Sequence, residues 1–346
     1  MVTRVAVAVT VCAALAVSVT GASRSAQSPA KTLVGVNYSH FSNNGRCTAD
    51  GIASLNGTGI LANYLRRGVA ARVAQQMTVM RARGILALRL IIWHQTGPGQ
   101  RQWGVVSSAG GKLSAPVRAA LVPYLAAARK AGFAQLTVSF GPVWSNDPAS
   151  PSFDASKLDE NWKLIQQARS LARRYGPGSI HIDLENEAAP NSSDPGRVRR
   201  VGSYLATVYQ RYVRAYGNKD VSVSTIASQA PADTRARLQN LIGALQSTGL
   251  PLPRWFDVHP SYTNVLSDLQ VVDQVLAGQG LNQPLVLSEV AYDDPASAKA
   301  IARFQRTGHR SVLEVTEWPL TRHRPCGIMS VSPPYTADAY VRLQGS

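Results

Sequence analysis

The sequence predicts an α/β barrel built from eight strand-and-helix units in a single domain. Short runs rich in Val, Ile and Leu alternate with longer amphipathic stretches from about residue 33 onwards. Several of the longer stretches stop at a glycine, as at Gly84 and Gly132, which is typical of a helix C-terminus. Such alternation favours a parallel sheet covered by helices, and eight units suit closure into a (β/α)8 barrel.

Each predicted strand is followed by a predicted helix. The strands cover residues 33–38, 85–93, 135–140, 179–184, 221–226, 255–259, 284–290 and 311–316. The helices cover residues 62–83, 115–131, 156–175, 197–216, 232–246, 265–277, 295–305 and 336–343. The main alternative, an open doubly wound sheet, is disfavoured because no glycine-rich phosphate loop follows the first strand.

The N-terminus, residues 1–26, is predicted to be a secretory signal peptide. Arg4 precedes an apolar run over residues 5–19, and small residues follow that run. The run is shorter than the roughly 20 residues that span a bilayer, so a membrane anchor is the less favoured alternative. We therefore expect a secreted protein with a barrel domain over residues 31–346 and no transmembrane segment in the mature chain.

Two cysteines, Cys47 and Cys326, remain once Cys12 is removed with the leader. An even pair in an exported chain suggests a disulfide, with two free buried thiols as the alternative. Because the first and eighth strands are neighbours in a closed barrel, a Cys47–Cys326 bridge would join two adjacent rim loops.

The chain is strongly basic, with a formal charge of +16 that falls to +14 when Arg4 and Arg24 leave with the signal peptide. Most of the basic residues are arginines that scatter along the predicted helices. They are not interleaved with aromatic residues as in a single-strand binder, which disfavours a nucleic-acid partner. An anionic glycan or a cell envelope remains open as a partner, and we expect a monomer.

The predicted strand ends are rich in aromatic, amide, imidazole and carboxylate side chains. In a barrel of this class the chemistry lies on the loops that follow the strand C-termini. Aromatic faces stack on sugar rings, and amide and imidazole groups bind hydroxyls, so this rim predicts a carbohydrate ligand. Candidates for sugar contact, with packing as their alternative, are Trp93, His94 and Trp144.

Two carboxylates, Glu187 after the fourth strand and Glu289 after the seventh, are the candidate catalytic pair. Glycoside hydrolysis needs two such groups on either side of the bond that breaks. Strand alternation predicts that Asp183 and Glu185 face the barrel interior. Like-charge repulsion within this cluster is expected to raise the pKa of Glu187, which suits a general acid, while Glu289 stays ionised as the nucleophile.

Other chemistries lack their sequence patterns. No HxH, HExxH or paired-cysteine spacing occurs, so a metal site is disfavoured. No GxSxG elbow occurs either, which disfavours a serine nucleophile. We expect no cofactor.

The motif Asn186-Glu187, together with Glu289 three strands later, resembles glycoside hydrolase clan A, the "4/7" superfamily, with families 5 and 39 as comparable fits. This resemblance implies that Asn186 binds the 2-hydroxyl beside the reacting carbon. It also implies that Arg89, in the segment Arg-Leu-Ile-Ile-Trp, supports the nucleophile carboxylate.

The segment Asp-Val-His-Pro-Ser-Tyr around the sixth strand extends the resemblance. It implies that His259 contacts substrate and that Tyr262 hydrogen-bonds the nucleophile. Trp318, after the eighth strand, matches the sugar-stacking tryptophan of the clan. The chain departs from the common pattern in having Ala188 rather than Pro after Glu187, and Val290 rather than an aromatic residue after Glu289.

The function implied is a secreted, retaining glycosidase that cleaves O-glycosidic, β-configured bonds of a polysaccharide or oligosaccharide. The alternative is a non-catalytic carbohydrate- or envelope-binding protein on the same scaffold. The sugar, the linkage, and endo or exo action are left open by the sequence.

Overall fold

The structure, a computed structural model, describes residues 31–41, 59–97, 104–188, 194–227, 230–307, 310–318, 320–323, 328–331 and 336–345. The predicted signal peptide lies outside these residues, as do Cys47 and Cys326, so export and the disulfide stay predictions.

Eight parallel strands form a ring, as predicted. They are β1 Leu33–Asn37, β2 Ala87–Thr96, β3 Gln135–Pro142, β4 Ser179–Asp183, β5 in two segments (Val221–Ser222 and Ser224–Ile226), β6 Phe256–His259, β7 Leu285–Val290 and β8 Val312–Glu317. Each strand pairs with its sequence neighbours, and β1 also pairs with β8. The prediction of a single-domain (β/α)8 barrel is confirmed.

The fifth strand closes the barrel by dividing at Val223. Its first segment pairs with β4, where Val221 lies opposite Ile182. Its second segment pairs with β6, where Ser224 lies opposite Asp257. The short strand predicted over 221–226 is thus shared between two neighbours, and the division brings Ser224 beside the end of β4.

Eight helices follow the eight strands. They are α1 Val69–Ala82, α2 Ala115–Ala131, α3 Ala155–Tyr175, α4 Pro195–Tyr216, α5 Pro231–Gln246, α6 Val265–Gly278, α7 Pro295–Arg306 and α8 Asp338–Val341. Asp154, Asp194 and Asp294 cap α3, α4 and α7, because each carboxylate accepts hydrogen bonds from two backbone N–H groups of the first turn. Proline follows two of these caps, at a position where the missing N–H has no helical partner.

The first predicted helix is interrupted. A short helix, Ile60–Asn63, precedes α1, and Gly68 between them has a φ of 82°, a left-handed conformation that glycine adopts without strain. The long loop predicted after β2 also contains a small hairpin, Val106–Ala109 with Lys112–Leu113, and its first strand pairs with the extended end of β2. A second hairpin, Leu320–His323 with Ile328–Val331, follows β8.

The apolar core lies between the strands and the helices. On β2, for example, Leu88, Leu90 and Ile92 are fully buried, and the residue between the first two is the fully buried Arg89. Two-residue alternation places Arg89 on the opposite face of the strand, inside the barrel. No helix among the described residues is long and apolar enough to cross a membrane.

Candidate active site

Glu187 and Glu289 meet at the C-terminal mouth of the barrel, although 102 residues separate them in sequence. One carboxylate oxygen of each, together with a ring nitrogen of His259, lies within 4.8 Å of the other two. Both glutamates line two adjoining cavities, of about 460 and 320 Å³. The predicted pair therefore shares one cleft, with room for ligand on either side.

Arg89, inside the barrel, holds Glu289 by a hydrogen bond. Its Nη1 donates to Oε1 of Glu289 at 2.7 Å, and its Nη2 donates to Oδ2 of Asp183 at 2.9 Å. Nη2 also donates to Oδ1 of Asn186 at 2.6 Å. A planar guanidinium with several donors can fix two carboxylates and an amide in one geometry. The contact between Arg89 and the Glu289 carboxylate that the resemblance implies is made in the structure.

The contact with Arg89 also orients Asn186. Because its carbonyl oxygen accepts from Arg89, the NH₂ group of the Asn186 side chain points elsewhere. Asn186 lines the larger cavity beside both glutamates. A free amide donor at this position can bind a sugar hydroxyl.

The turn that carries Glu187 has a strained backbone. Glu187 has a φ of 55°, in the left-handed region that costs non-glycine residues free energy. The divided fifth strand holds this turn, because Oγ of Ser224 accepts the Glu187 N–H at 3.0 Å and donates to Asp183 at 2.9 Å. Strain kept in place by such contacts is common at functional sites.

His259 bridges the two glutamates. Its Nδ1 lies 3.0 Å from Oε1 of Glu187 and 3.7 Å from Oε1 of Glu289. Its Nε2 lies 2.8 Å from Oγ of Ser288, which donates to Asp257 at 2.6 Å. Because that serine proton is given to Asp257, Nε2 of His259 carries a proton and donates it to Ser288.

The protonation of the three groups is linked. Burial works to lower the pKa of His259, but the charge of Glu289 and the hydrogen bond to Glu187 outweigh it, so the pKa is raised. Burial would raise the pKa of Glu187, but the hydrogen bond and charge of His259 outweigh it, so the pKa is lowered. Burial raises the pKa of Glu289, and His259 and Arg89 offset only part of that rise.

These directions correct one expectation from the sequence. Glu187 does not have a raised pKa in the free site, because His259 contacts it directly and takes up the proton. The acidic proton is shared by Glu187 and His259, and Oε1 of Glu187 lies 3.0 Å from Nδ1 of His259. A proton can pass between them without movement of the backbone.

The spacing of Glu187, His259 and Glu289 also suits a metal ion. Arg89 argues against that use, because its guanidinium bonds to Glu289 at 2.7 Å and would repel a cation there. The direct hydrogen bond between His259 and Glu187 occupies two of the three ligand atoms.

Three tryptophans form the walls of the larger cavity. Trp93, Trp144 and Trp318 line it together with the two glutamates. Trp144 is 41% exposed and has a φ of 52°, an unusual conformation for a bulky residue, so its ring is presented at the cleft. His94 differs: it is only 1% exposed, and burial lowers its pKa to about 3. A sugar contact by His94 stays a prediction, and its burial argues against it.

The Trp93 ring lies against Gly141, and we expect Gly141→Ala to displace it. An added Cβ would come within 2.2 Å of Cε3 of Trp93, so the ring must move into the cleft. We expect a loss of about 1–3 kcal/mol in the free energy of unfolding and a raised KM for oligosaccharides. Gly178→Ala is the matched control, because nothing lies within 4 Å of its added Cβ. Equal KM values for the two variants would show that Trp93 does not contribute to substrate binding.

Two predicted placements differ from those expected. Tyr262 is 51% exposed and lines the smaller cavity beside both glutamates, but the contacts described for Glu289 are with Arg89 and His259 rather than with its phenol. Glu185 does not continue inside the barrel, because β4 ends at Asp183. It turns towards Tyr204 of α4 and Asp147.

Several residues that shape the site were given no role from the sequence. Ser139 of β3 accepts from Arg89 and donates to Asp183, and Asn37 of β1 accepts from Arg89. Ser288 fixes the ring of His259. Their positions in the sequence were the signal that could have identified them, because Ser288 directly precedes Glu289 and Asn37 ends the first strand.

Comparison with known proteins identifies the fold. No protein-family model matches the chain, and no curated protein matches its sequence. The solved structures that resemble it include an endo-1,4-β-mannanase from Eisenia fetida, with a TM-score of 0.57, 13% identity and coverage of 92% of both chains. An exo-β-1,4-mannosidase from Opitutaceae bacterium strain TAV5 has a TM-score of 0.56 and 12% identity, over 91% of this chain and 59% of that one.

The fold is a (β/α)8 barrel. A homocysteine methyltransferase from Escherichia coli matches with a TM-score of 0.54 and 14% identity, over 91% of this chain and 94% of that one. At such identities a likeness establishes the fold and leaves the activity to be argued from the site. The neighbours named here include a mannanase and a mannosidase as well as a methyltransferase, so the likeness shows the barrel fold.

Proposed function

We propose that this protein is a retaining glycosidase that cleaves O-glycosidic, β-configured bonds by double displacement. The observation that carries the proposal is the carboxylate pair, with oxygens of Glu187 and Glu289 within 4.8 Å of each other in one cleft. Retaining enzymes hold their two carboxyl groups about 5–5.5 Å apart, whereas inverting enzymes leave about 6.5–9.5 Å for a water molecule. The short separation favours direct attack by a carboxylate.

In the first step Glu289 attacks the anomeric carbon. The bond from that carbon to the leaving oxygen breaks, the bond to the Glu289 carboxylate forms, and Glu187 gives a proton to the leaving oxygen. The contact with Arg89 favours Glu289 as the nucleophile, because the guanidinium stabilises the ionised carboxylate and orients it at 2.7 Å. The proton that Glu187 passes on comes from His259, whose Nδ1 lies 3.0 Å from Oε1 of Glu187, so after this step Glu187 is a carboxylate and His259 is neutral.

Formation of the glycosyl-enzyme helps the second step. Esterification removes the negative charge of Glu289, which is one of the charges that raise the pKa of His259. The Glu187–His259 pair, which has given its shared proton to the leaving oxygen, therefore takes up another proton less readily, and Glu187 stays a carboxylate. Glu187, now a carboxylate, accepts a proton from water as the water attacks the anomeric carbon and releases Glu289.

The surrounding residues are assigned to substrate. The amide of Asn186 binds the 2-hydroxyl, and Trp318 stacks on the sugar at the reacting carbon, with Trp93 and Trp144 as further aromatic surfaces of the cleft. His259 and Tyr262 line the adjoining cavity and can contact hydroxyl groups. Secretion after removal of residues 1–26, a Cys47–Cys326 disulfide and a monomeric state belong to the same proposal.

The stereochemistry of the product tests the mechanism. A panel of aryl β-glycosides of different sugars first identifies a substrate that the protein accepts. Proton NMR of that reaction is expected to show the β-anomer of the released sugar first, followed by slow mutarotation. Release of the α-anomer first would exclude double displacement, because a single displacement inverts the anomeric carbon.

The pH dependence of kcat/KM should follow the linked groups. Because the pKa of Glu289 is raised, we expect activity to fall, as the pH is lowered, at a pH above the usual glutamate value of about 4.3. Because the pKa of His259 is raised, the proton shared by His259 and Glu187 should be retained at pH values above the usual histidine pKa of about 6.5. The loss of activity on the alkaline side should therefore begin above that pH. An acidic limb at or below the ordinary glutamate value would contradict the burial of Glu289.

A further inference from the structure

A third cavity, of about 320 Å³, adjoins the catalytic pair on one side only. Glu187 and Asn186 line it, and Glu289 does not. If Glu187 is the proton donor, as in the function proposed above, the leaving oxygen lies next to Glu187. A cavity that reaches the proton donor but not the nucleophile is therefore on the leaving-group side of the bond.

Two arginines from different helices line this cavity. Arg197 belongs to the first turn of α4, and Arg237 belongs to α5. Arg237 is mostly buried and held by Asp233, whose Oδ2 accepts from its Nε at 3.0 Å. Its charge acts on Glu187, since it contributes to lowering the pKa of that group. Arg237 is thus a fixed cation near the proton donor.

Arg197, on the neighbouring helix α4, is exposed. Its charge acts on Asp147, whose pKa it helps to lower against the effect of burial. Within the parts of the chain that the structure describes, no hydrogen bond or ion pair of the Arg197 guanidinium is found. A guanidinium presents several donors in a planar fork that matches a carboxylate or a sulfate.

Three acidic groups line this cavity as well, namely Asp147, Glu185 and Glu187. Burial raises the pKa of Asp147 and of Glu185, which favours their neutral forms beside the two arginines. Glu185 is 5% exposed, and burial followed by the charge of Asp147 raises its pKa well above the usual range. Its Oε2 is buried and has no hydrogen-bond partner among the described residues. When this carboxyl group is protonated, Oε2 can act as a further donor towards the cavity.

We propose that this cavity is the leaving-group subsite and that it binds a sugar carrying a carboxylate or sulfate group through Arg197 and Arg237. The two guanidinium groups supply donors from two helices, and an anionic oxygen would accept from them. The buried Oε2 of Glu185 would gain a partner in the same complex. This inference rests on the proposed function only in calling the subsite that of the leaving group.

Matched leaving groups test the subsite. Aryl glycosides of a sugar that the protein accepts are prepared with 3-carboxyphenyl, 3-sulfophenyl and neutral 3-carbamoylphenyl leaving groups. We expect kcat/KM at least about tenfold higher for an anionic group, since a charge-assisted hydrogen bond contributes about 1.5–3 kcal/mol. The carboxylate and sulfonate arms distinguish a uronic acid from a sulfated sugar as the natural group.

Arginine variants locate the effect. Arg197→Gln and Arg237→Gln should each lower the anionic-to-neutral ratio at least about fivefold, because each removes one of the two cations. The matched controls are Arg199→Gln and Arg235→Gln, on the same two helices and exposed, which should keep the wild-type ratio. Thermal unfolding shows whether all four variants are folded. A wild-type ratio near one, or a ratio that neither arginine variant changes, overturns the subsite.

Binding separates this proposal from the glycosidase proposal. Calorimetric titration compares a uronic-acid trisaccharide with its carboxyl-reduced neutral counterpart, in the presence and absence of salt. Turnover of neutral glycosides without any anionic preference leaves a glycosidase and overturns the subsite. Arg197-dependent, salt-sensitive binding without turnover of any glycoside supports the subsite and overturns the glycosidase. Absence of both binding and turnover overturns the two together.

Discussion

Glu289→Ala is expected to reduce kcat/KM on an aryl glycoside by at least about 10⁴-fold, because the variant has no group to form the glycosyl-enzyme. Azide should restore turnover, since it fits the space left by the carboxylate beside Arg89 and attacks the same face of the sugar. The azide adduct should have inverted, α configuration, because one displacement replaces two. Stopped assays give the rate, and NMR of the adduct gives the configuration.

Glu187→Ala is the companion experiment. We expect the general-acid contribution of about 10²–10⁴-fold to be lost, with the larger loss for poor leaving groups. Azide should then attack the glycosyl-enzyme from the face where water normally attacks, so the adduct retains the β configuration. The control Glu314→Gln alters another buried acid of the barrel, one that is hydrogen-bonded to Gln135 and Thr316. If the two azide products had the opposite configurations, the roles of Glu187 and Glu289 would be exchanged.

Arg89→Leu is expected to reduce both stability and activity. The fully buried guanidinium bonds to Glu289 and Asp183, and its removal takes the cationic partner from Asp183 and leaves Glu289 with His259 alone. Breaking a buried pair in this way costs about 3–5 kcal/mol in the free energy of unfolding. The pKa of Glu289 should rise further, because Arg89 is one of the charges that hold it down. Denaturant unfolding and the acidic limb of the pH–rate profile measure the two effects.

Arg310→Leu separates stability from activity. Arg310 is also buried and bonds to Asp273 at 2.9 Å, but it precedes β8 and therefore lies at the opposite end of the barrel from the cleft. We expect it to destabilise the protein and to leave the pH–rate profile of the folded enzyme unchanged. A shifted acidic limb in Arg89→Leu alone would assign the shift to the contact with Glu289. Equal profiles in both variants would argue against electrostatic support of the nucleophile.

The sequence located most of the fold because the barrel repeats a local pattern. The helix Ala115–Ala131 has the predicted bounds, since a proline near its start and Gly132 after its end mark both termini. Gly68 was harder to interpret, because a glycine within an apolar periodic stretch is compatible with a continuous helix as well as with the break that occurs. The division of β5 at Val223 depends on which neighbour each segment pairs with, and pairing is a property of the closed sheet.

The residue types and strand positions of Glu187, Glu289, Arg89 and Asn186 were determined by the sequence alone, because chemistry at the C-terminal ends of barrel strands follows from the repeat. Only the tertiary structure decided what each group touches. It placed His259 within 3.0 Å of Glu187, which reversed the direction expected for the pKa of that acid. It also turned Glu185 out of the barrel towards Tyr204 and Asp147, where it lines the third cavity. Protonation and specificity depend on distances of a few ångströms between residues far apart in the chain, and local sequence patterns do not encode such distances.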